Sequence, residues 1–261
     1  MSEIAKTVLD NQRVKSQIIQ LMWKASDVIL EVYQCEKINL QQKADASPVT
    51  RADLAAHQVL VNGLAEVTPH IPVVSEEDSQ SFDIPRRHRT FWLIDPLDGT
   101  KEFIHRNGEF TCNLALISDQ RPVYGWVSVP VQNALYHGGS DLGAVRVERR
   151  GNTVPIRCQP NTTPVRIVAS KSHLNSETKD FIEAIDGSIE LIQAGSSLKF
   201  LRIAEGQADL YPRLGPTCEW DTAAAHAVLE GAGGVVTQVN GAVLQYGKNQ
   251  ILNPHFIARA F

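Results

Sequence analysis

Cysteine is scarce in this chain and shows no recognisable spacing. The four cysteines among its 261 residues form no C-x-x-C pair, and the gaps between them suit neither a zinc site nor a dense disulfide framework. Free thiols in a reducing compartment are the simpler interpretation. The cysteines are Cys35, Cys112, Cys158 and Cys218.

Targeting and membrane-spanning patterns are also missing. The first residues lack the basic-then-apolar layout of a signal peptide, and no run approaches the roughly 20 apolar residues that cross a bilayer. We therefore expect a cytoplasmic protein without a transmembrane segment. Peripheral attachment at the cytoplasmic face of the inner membrane and the oligomeric state are left open by the sequence.

An excess of positive charge is absent. The net charge of −4 provides no broad basic face, so a nucleic acid polymer is not an expected partner. A small nucleotide is still allowed, because the local charge of a pocket matters more than the sum. The composition, 21% charged and 43% hydrophobic, is ordinary for a globular protein, and the length suffices for one large domain or two lobes.

The apolar pattern changes along the chain. Residues 14–33 have helical periodicity, and a second helix opens at residue 50. Residues 91–147 read mostly as antiparallel strands, whereas strands alternate with helices after residue 165, including a strand at 208–211 and a helix at 222–230. This pattern predicts an α+β lobe over residues 1–162 with an antiparallel sheet, followed by an α/β lobe over residues 163–261.

Two aspartates follow an apolar run and are the most informative local feature. Phe91–Ile94 reads as a buried strand, and Asp95 and Asp98 come directly after it, in a turn with a proline and Gly99. Asx hydrogen bonds in a turn explain one aspartate but poorly explain both. Buried carboxylates are costly unless a cation binds them, and oxygen ligands suit Mg²⁺. The following Gly99-Thr100 resembles a helix start that presents N–H groups to a phosphate.

Three further acids have ordinary alternatives. Glu76 lies in an acidic stretch that could be a solvated turn, and Asp221 precedes a predicted helix as an N-cap would. Thr50-x-x-Asp53 matches a capping box, so Asp53 could serve the helix alone.

Together, the motifs resemble a known family. Val73-Val-Ser-Glu-Glu-Asp78, Trp92-Leu-Ile-Asp-Pro-Leu-Asp-Gly-Thr100 and Trp220-Asp-Thr-Ala-Ala-Ala-His226 resemble, in order and spacing, the inositol monophosphatase superfamily of Mg²⁺-dependent, lithium-sensitive phosphatases. Lys101–Ile104 and Arg106–Thr111 are similar to its CysQ-type 3'(2'),5'-bisphosphate nucleotidases. The resemblance implies a layered α-β-α-β-α sandwich of the sugar phosphatase type, with the metal site between the lobes.

The resemblance also implies a ligand set for Mg²⁺, with two or three ions per active site. Glu76, Asp95 and the Leu97 carbonyl oxygen would hold the first ion. Asp95, Asp98 and Asp221 would hold the second, so that Asp95 bridges the two.

Further residues acquire catalytic and binding roles by the same resemblance. The attacking water would lie near Glu77 and Thr100, with the Thr100 hydroxyl oriented by Asp53. Gly99 and Thr100 would cradle the scissile phosphate. The nucleotide and its second phosphate would contact Ser170, His173, Ser196, Lys199 and Arg213. Taken singly, these could be a surface histidine, a solvated lysine or an arginine paired with an acid.

The implied activity is hydrolysis of the 3'-phosphate of adenosine 3',5'-bisphosphate to AMP and phosphate, linked to sulfate assimilation. The alternatives are an inositol monophosphatase or sugar bisphosphatase of the same superfamily, or a nucleotide or metal sensor without catalysis. Lys101-Glu102-Phe103 and Ser196-x-x-Lys199 favour the nucleotidase. A sensor without catalysis would be expected to lack at least one metal ligand, whereas this sequence contains all the ligands that the resemblance implies.

Overall fold

The computed structural model of the chain describes residues 1–35, 40–42, 48–161, 163–170 and 175–260. The α-helices in these ranges are α1 (Glu3–Asp10), α2 (Gln12–Gln34), α3 (Arg51–Val67), α4 (Thr100–Ile104), α5 (Ser176–Glu183), α6 (Leu198–Ala204) and α7 (Ala223–Gly231). Short 3₁₀ helices span Ser79–Arg86 and Pro130–Gln132. No helix in the described ranges is both long and apolar enough to span a membrane.

The strands are short, and most belong to two sheets. They are β1 (Leu40–Gln42), β2 (Pro48–Thr50), β3 (Val73–Ser75), β4 (Thr90–Asp98), β5 (Thr111–Ser118), β6 (Arg121–Val129), β7 (Ala134–Gly139), β8 (Gly143–Glu148), β9 (Thr153–Ile156), β10 (Val165–Ala169), β11 (Ile189–Gln193), β12 (Leu210–Arg213), β13 (Val235–Gln238) and β14 (Phe256–Arg259). β1 and β2 pair only with each other.

A seven-stranded sheet runs in sequence order from β3 to β9, with only the β3–β4 pair parallel. A five-stranded sheet has the order β11-β10-β12-β14-β13, in which β10 pairs parallel with both neighbours. The antiparallel strands predicted within residues 91–147 are confirmed, among them the pair β5–β6. The division of the chain into lobes 1–162 and 163–261 stays a prediction.

Strand β4 shows why the apolar run before the aspartates is continuous. Successive side chains of a strand point to opposite faces of its sheet. Trp92 and Ile94 pack with residues of α2 and α3, whereas Phe91 and Leu93 pack into the core that joins the seven-stranded sheet to α6, α7 and the five-stranded sheet. Because helices or a second sheet cover both faces, both sets of side chains must be apolar.

Helix α7 belongs to the middle layer. Its side chains from Ala223 to Leu229 are all buried, which is typical of a helix covered on every side. It contacts β5, β6 and β7 of one sheet and β13 of the other. The small alanine side chains allow this close packing between the sheets.

Several elements differ from the sequence prediction. The predicted strand at 208–211 lies instead at Leu210–Arg213, after the buried Asp209, whose carboxylate accepts hydrogen bonds from Arg166. Helix α1 and strands β1, β2, β9, β13 and β14 were not predicted. These strands have only three or four residues each, too few for a clear alternation of apolar and polar side chains.

Candidate active site

Three carboxylates from separate segments meet at one end of β4. Glu76 follows β3, Asp95 lies within β4, and Asp221 precedes α7; each offers an oxygen atom, and these three atoms lie within 4.8 Å of one another. The pairing of β4 with β5 is irregular between Asp95 and Asp98, so the strand bends where its acids begin. Hard oxygen donors in this arrangement could hold a divalent cation.

Asp95 is the most buried acid of this cluster, with 1% of its surface exposed. Its Oδ1 accepts a 3.1 Å hydrogen bond from the Leu97 N–H, which is the Asx turn considered from the sequence. Its Oδ2 is buried and has no hydrogen-bond partner among the described residues. The turn therefore accounts for one oxygen of Asp95 and leaves the other available to a cation.

Burial and mutual repulsion shift the acids of this site in the same direction. Burial raises the pKa of Asp95 well above its ordinary value, and the charges of Glu76, Asp98 and Asp221 add to this. Burial and the charge of Asp221 raise the pKa of Asp98 to about 8, against the opposing effect of Lys199. A bound cation would relieve the repulsion.

Asp98 ends β4 and is held by a different partner. Its Oδ2 accepts a 2.6 Å hydrogen bond from the Ser197 N–H, and it is not one of the three acids whose oxygens lie within 4.8 Å of one another. It does line the same cavity as Glu76 and Asp221.

The N-cap interpretation of Asp221 is wrong. Helix α7 begins at Ala223, and Thr222 occupies the position before it without a capping hydrogen bond from its side chain. The Oδ2 of Asp221 instead accepts hydrogen bonds from the Thr217 Oγ1 at 2.7 Å and the Cys218 N–H at 2.9 Å. These bonds fix the carboxylate in the turn that precedes the helix.

Asp53 forms the capping box and also contacts Thr100. It is 2% exposed, and its Oδ2 accepts from the N–H and hydroxyl of Thr50 at 2.7 and 2.6 Å, which forms the capping box of α3. Its Oδ1 accepts a 3.3 Å hydrogen bond from the Thr100 hydroxyl, which is also 3.4 Å from the Leu97 carbonyl oxygen. Asp53 thus connects the start of α3 to the start of α4.

The Glu76–Glu77 turn is fixed to the sheet rather than solvated. Both residues are half-buried, and the Glu76 N–H donates to the Ile94 carbonyl oxygen at 3.3 Å. The Glu77 N–H donates to Ser75 Oγ at 3.3 Å. Ser75 Oγ also forms a 2.8 Å hydrogen bond with His57 Nδ1, a contact that the sequence analysis missed.

A cavity of about 250 Å³ opens over these acids and collects most of the predicted residues. Those lining it are Glu76, Asp98, Gly99, Thr100, Ser170, Ser196, Lys199, Arg213 and Asp221. Asp53, Glu77, Asp95 and Leu97 do not line the cavity. His173 lies outside the described residues. Further lining residues, to which the sequence analysis assigned no role, are Lys101, Glu102, Phe200, Tyr211, Thr217 and Thr222.

Lys199 is buried, so the alternative of a solvated helix residue is wrong. It is 5% exposed, its Nζ donates to the Ser196 carbonyl oxygen at 2.5 Å, and this nitrogen lies 5.4 Å from the centroid of the Tyr211 ring. Burial lowers its pKa to about 8, although the nearby Asp98 opposes this shift. A buried ammonium group beside a cavity is suited to an anionic ligand.

Arg213 supplies a second cation. Its Nη2 donates to the Pro216 carbonyl oxygen at 2.5 Å, and its Nε is buried without a hydrogen-bond partner among the described residues. The described residues contain no ion pair between Arg213 and an acid, so the ion-pair alternative has no support there.

Two loops approach each other closely at the mouth of the cavity. Gly99 has a left-handed φ of +91°, and a Cβ there would lie 3.2 Å from both the Glu109 carbonyl oxygen and Ser196 Cβ. A Cβ on Gly195 would lie 2.8 Å from the same oxygen. Ser196 has a φ of +40°, which is uncommon for a residue with a side chain. Glycine is therefore required at both turns.

A buried polar cluster behind the cavity was missed. Ser197 is 1% exposed; its hydroxyl donates to Asn113 Oδ1 at 3.0 Å and shares a 2.7 Å hydrogen bond with Thr111 Oγ1. Asn113 lies opposite Asp95 in the β4–β5 ladder. The predicted β4 and β5 strands could have indicated that pairing, but not the approach of Ser197.

The comparisons with known proteins agree with this geometry. Residues 10–260 match the model of the inositol monophosphatase family. The chain is 46% identical over 242 residues to the 3'(2'),5'-bisphosphate nucleotidase CysQ of Escherichia coli O6:H1 strain CFT073, covering 92% of this chain and 97% of that protein. It is 40% identical over 253 residues to the protein of the same name from Buchnera aphidicola subsp. Acyrthosiphon pisum, covering 95% and 94%.

The structural comparison extends over almost the whole chain. The crystal structure of CysQ from Bacteroides thetaiotaomicron, a bacterial member of the inositol monophosphatase family, superimposes with a TM-score of 0.85 at 41% identity and covers 97% of this chain and 98% of that one. The layered sandwich predicted from the sequence is thereby confirmed. On the family match, the two relatives and this structure, the chain belongs to the inositol monophosphatase family.

Proposed function

We propose that this protein is a 3'(2'),5'-bisphosphate nucleotidase that hydrolyses the 3'-phosphate of adenosine 3',5'-bisphosphate to AMP and phosphate. One observation carries the proposal: Glu76 and Asp221 of a carboxylate cluster suited to metal line the same cavity as the buried cation Lys199. A substrate with two separated phosphates could place one beside the acids and the other beside the lysine. The names of relatives at up to 46% identity support the same activity.

The donor set fits Mg²⁺, of which we propose two or three per site. Glu76, Asp95, Asp98, Asp221 and the Leu97 carbonyl oxygen would hold the ions. The buried Asp95 Oδ2 without a hydrogen-bond partner among the described residues supports this assignment. When bound, the ions would supply positive charge to the transferred phosphoryl group.

Thr100 would orient the attacking water. Its hydroxyl would donate to Asp53 Oδ1, 3.3 Å away, so that a lone pair of Oγ1 would accept from a water molecule. A proton taken from the water could pass through this hydroxyl to Asp53. Glu77, in the turn beside Glu76, is the proposed second contact of the water. Gly99 and Thr100 would cradle the scissile phosphate.

The remaining lining residues would bind the nucleotide. Lys199 and Arg213 would contact the 5'-phosphate, and Ser170 and Ser196 the rest of the nucleotide, while the role of His173 stays a prediction. Metal ligands would then come mainly from the lobe of residues 1–162, and Asp221 and the nucleotide contacts from the lobe of residues 163–261.

We place the reaction in sulfate assimilation and in the cytoplasm, which suits four free cysteines.

The test is phosphate release from adenosine 3',5'-bisphosphate, inositol 1-phosphate and fructose bisphosphate, each with Mg²⁺ and with EDTA. We expect the adenosine substrate to have the highest kcat/KM and all turnover to need the metal. A higher kcat/KM for inositol 1-phosphate or fructose bisphosphate would contradict the proposal and favour the corresponding phosphatase. No turnover of any of the three would favour the sensor.

A further inference from the structure

Glu102 occupies a position between the two loops at the mouth of the cavity. It lies in the first turn of α4 and lines the cavity. A Cβ on Gly99 would lie 3.4 Å from Glu102 Oε2, and a Cβ on Gly195 would lie 2.9 Å from Glu102 Cγ. The side chain therefore borders both turns, with its carboxylate at the turn proposed for the scissile phosphate and its Cγ at the loop that carries Ser196.

The charge of Glu102 acts on Lys199, whose pKa it raises, but Glu102 is not in direct contact with this lysine. In the described part of the chain, its side-chain oxygens accept no hydrogen bond and form no ion pair within 4.0 Å. The other acids that line the cavity, Glu76, Asp98 and Asp221, belong to the proposed metal site. Glu102 is thus the acid of this lining that is not assigned to the metal and that has no hydrogen bond or close ion pair in the described residues.

The chemistry of a carboxylate limits what Glu102 can contact. An ionised carboxylate accepts hydrogen bonds but donates none, and it repels a nearby phosphate. A ligand group beside it must therefore be a donor. On a ribose with a 3'-phosphate, the donor closest to that phosphate is the 2'-hydroxyl on the adjacent carbon. We propose that Glu102 accepts a hydrogen bond from this hydroxyl and is a specificity-determining residue that selects ribonucleotides; this inference rests on the proposed function.

The selection has two consequences. A substrate with hydrogen in place of that hydroxyl leaves the carboxylate desolvated and without a donor. A substrate with a second phosphate there meets a like charge. Loss of a hydrogen bond to a charged group should lower kcat/KM for the deoxyribose substrate by about one to two orders of magnitude relative to the ribose substrate.

The experiment compares adenosine 3',5'-bisphosphate with 2'-deoxyadenosine 3',5'-bisphosphate at saturating Mg²⁺. We expect the wild-type protein to favour the ribose substrate about 10- to 100-fold in kcat/KM. Glu102→Ala should bring this ratio close to 1, and Glu102→Gln, which keeps an uncharged acceptor, should give an intermediate ratio. The inhibition constants of AMP and 2'-deoxy-AMP should follow the same order. Glu66→Gln, an exposed acid of α3 outside the cavity lining, is the matched control.

The outcomes separate this inference from the proposed function. If the wild-type protein prefers adenosine 3',5'-bisphosphate to inositol 1-phosphate but its ribose-to-deoxyribose ratio is the same in Glu102→Ala, the role of Glu102 is refuted and the function stands. If Glu102→Ala instead lowers the preference for a 5'-phosphate, the residue orients Lys199, and the inference is again refuted. Failure of the wild-type protein to prefer the nucleotide refutes the function itself. Thermal unfolding shows whether each variant is folded.

Discussion

The backbone N–H of Ser197 donates a 2.6 Å hydrogen bond to Oδ2 of Asp98. This bond joins the end of β4 to the loop before α6, and the Ser197 hydroxyl fastens the same loop to Thr111 and Asn113 of β5. The loop also carries Ser196, whose carbonyl oxygen accepts from Lys199. A proposed metal ligand and a proposed nucleotide contact are thereby linked through one serine.

Removing the Ser197 hydroxyl should destabilise the protein. Ser197→Ala leaves Asn113 Oδ1 without its donor in a buried site, which costs about 1–3 kcal/mol of unfolding free energy, measured by denaturant titration. Ser26→Ala is the control, because this buried serine bonds only the Met22 carbonyl oxygen of its own helix. Equal losses in the two variants would show that the Ser197 hydroxyl contributes nothing beyond ordinary burial.

Asp95→Asn should abolish turnover at every practical Mg²⁺ concentration, because Asp95 is proposed to contact both ions. The metal-free fold should be retained or stabilised, since burial and neighbouring acids raise the pKa of Asp95 and the substitution removes that repulsion. Phosphate release over a Mg²⁺ series and thermal unfolding in EDTA measure the two effects. Asp10→Asn, at an exposed position of α1, should behave as wild type. Near-normal turnover by Asp95→Asn would remove it from the metal site.

The contribution of Asp98 to the stability of the metal-free protein should fall as pH rises from about 4 to about 8. Burial raises the pKa of Asp98 from 3.8 to about 8, so the native state binds a proton that the unfolded state has already lost over this range. The stabilising contribution of Asp98 is complete at pH values below its pKa in the unfolded state. It disappears as pH rises through its pKa in the folded state, and the free energy of unfolding then falls by no more than about 1.4 kcal/mol per pH unit.

The pH prediction is tested against Asp98→Asn in EDTA. Denaturant titrations from pH 4 to 9 should show that the unfolding free energy of the wild-type protein falls relative to that of the variant as pH rises. Added Mg²⁺ should flatten the wild-type curve, because the ion replaces the proton as counter-charge. Parallel wild-type and variant curves would mean that Asp98 titrates at its ordinary pKa.

Thr100→Ala should lower kcat by about two orders of magnitude and change KM much less, because the hydroxyl is proposed to act on the attacking water. Thr100→Ser keeps the hydroxyl that donates to Asp53 and should retain much of the activity. Steady-state kinetics at saturating Mg²⁺ measure both constants. A change confined to KM in the alanine variant would identify Thr100 as a phosphate ligand outside the proton path.

Lys199→Met should reduce kcat/KM for adenosine 3',5'-bisphosphate about 10- to 100-fold, because a charge-assisted contact to the 5'-phosphate contributes roughly 1.5–3 kcal/mol. Methionine keeps the apolar stem of this buried side chain, which limits the effect on folding. Adenosine 3'-monophosphate should be affected far less. Lys6→Met, on an exposed surface, is the control. Equal losses on both substrates would assign Lys199 to the scissile phosphate or to structure.

Local chemistry made much of the fold and site predictable. The continuous apolar run of β4, the capping box at Thr50 and Asp53 and the β5–β6 pairing follow from neighbouring residues, because strand alternation and helix capping act over a few positions. The family motifs also indicated which acids would share one site. These features were visible without coordinates.

The sequence by itself determined which chemical groups the site contains, because these residues and their local spacing belong to short continuous motifs. The tertiary structure alone decided their environments. Ser197 meets Asp98 across 99 positions of the chain, Lys199 is buried beside the cavity, and Asp221 is held by Thr217 instead of capping α7. Hydrogen-bond partners, burial and pKa depend on distances between segments that only the packing of two sheets around α6 and α7 establishes.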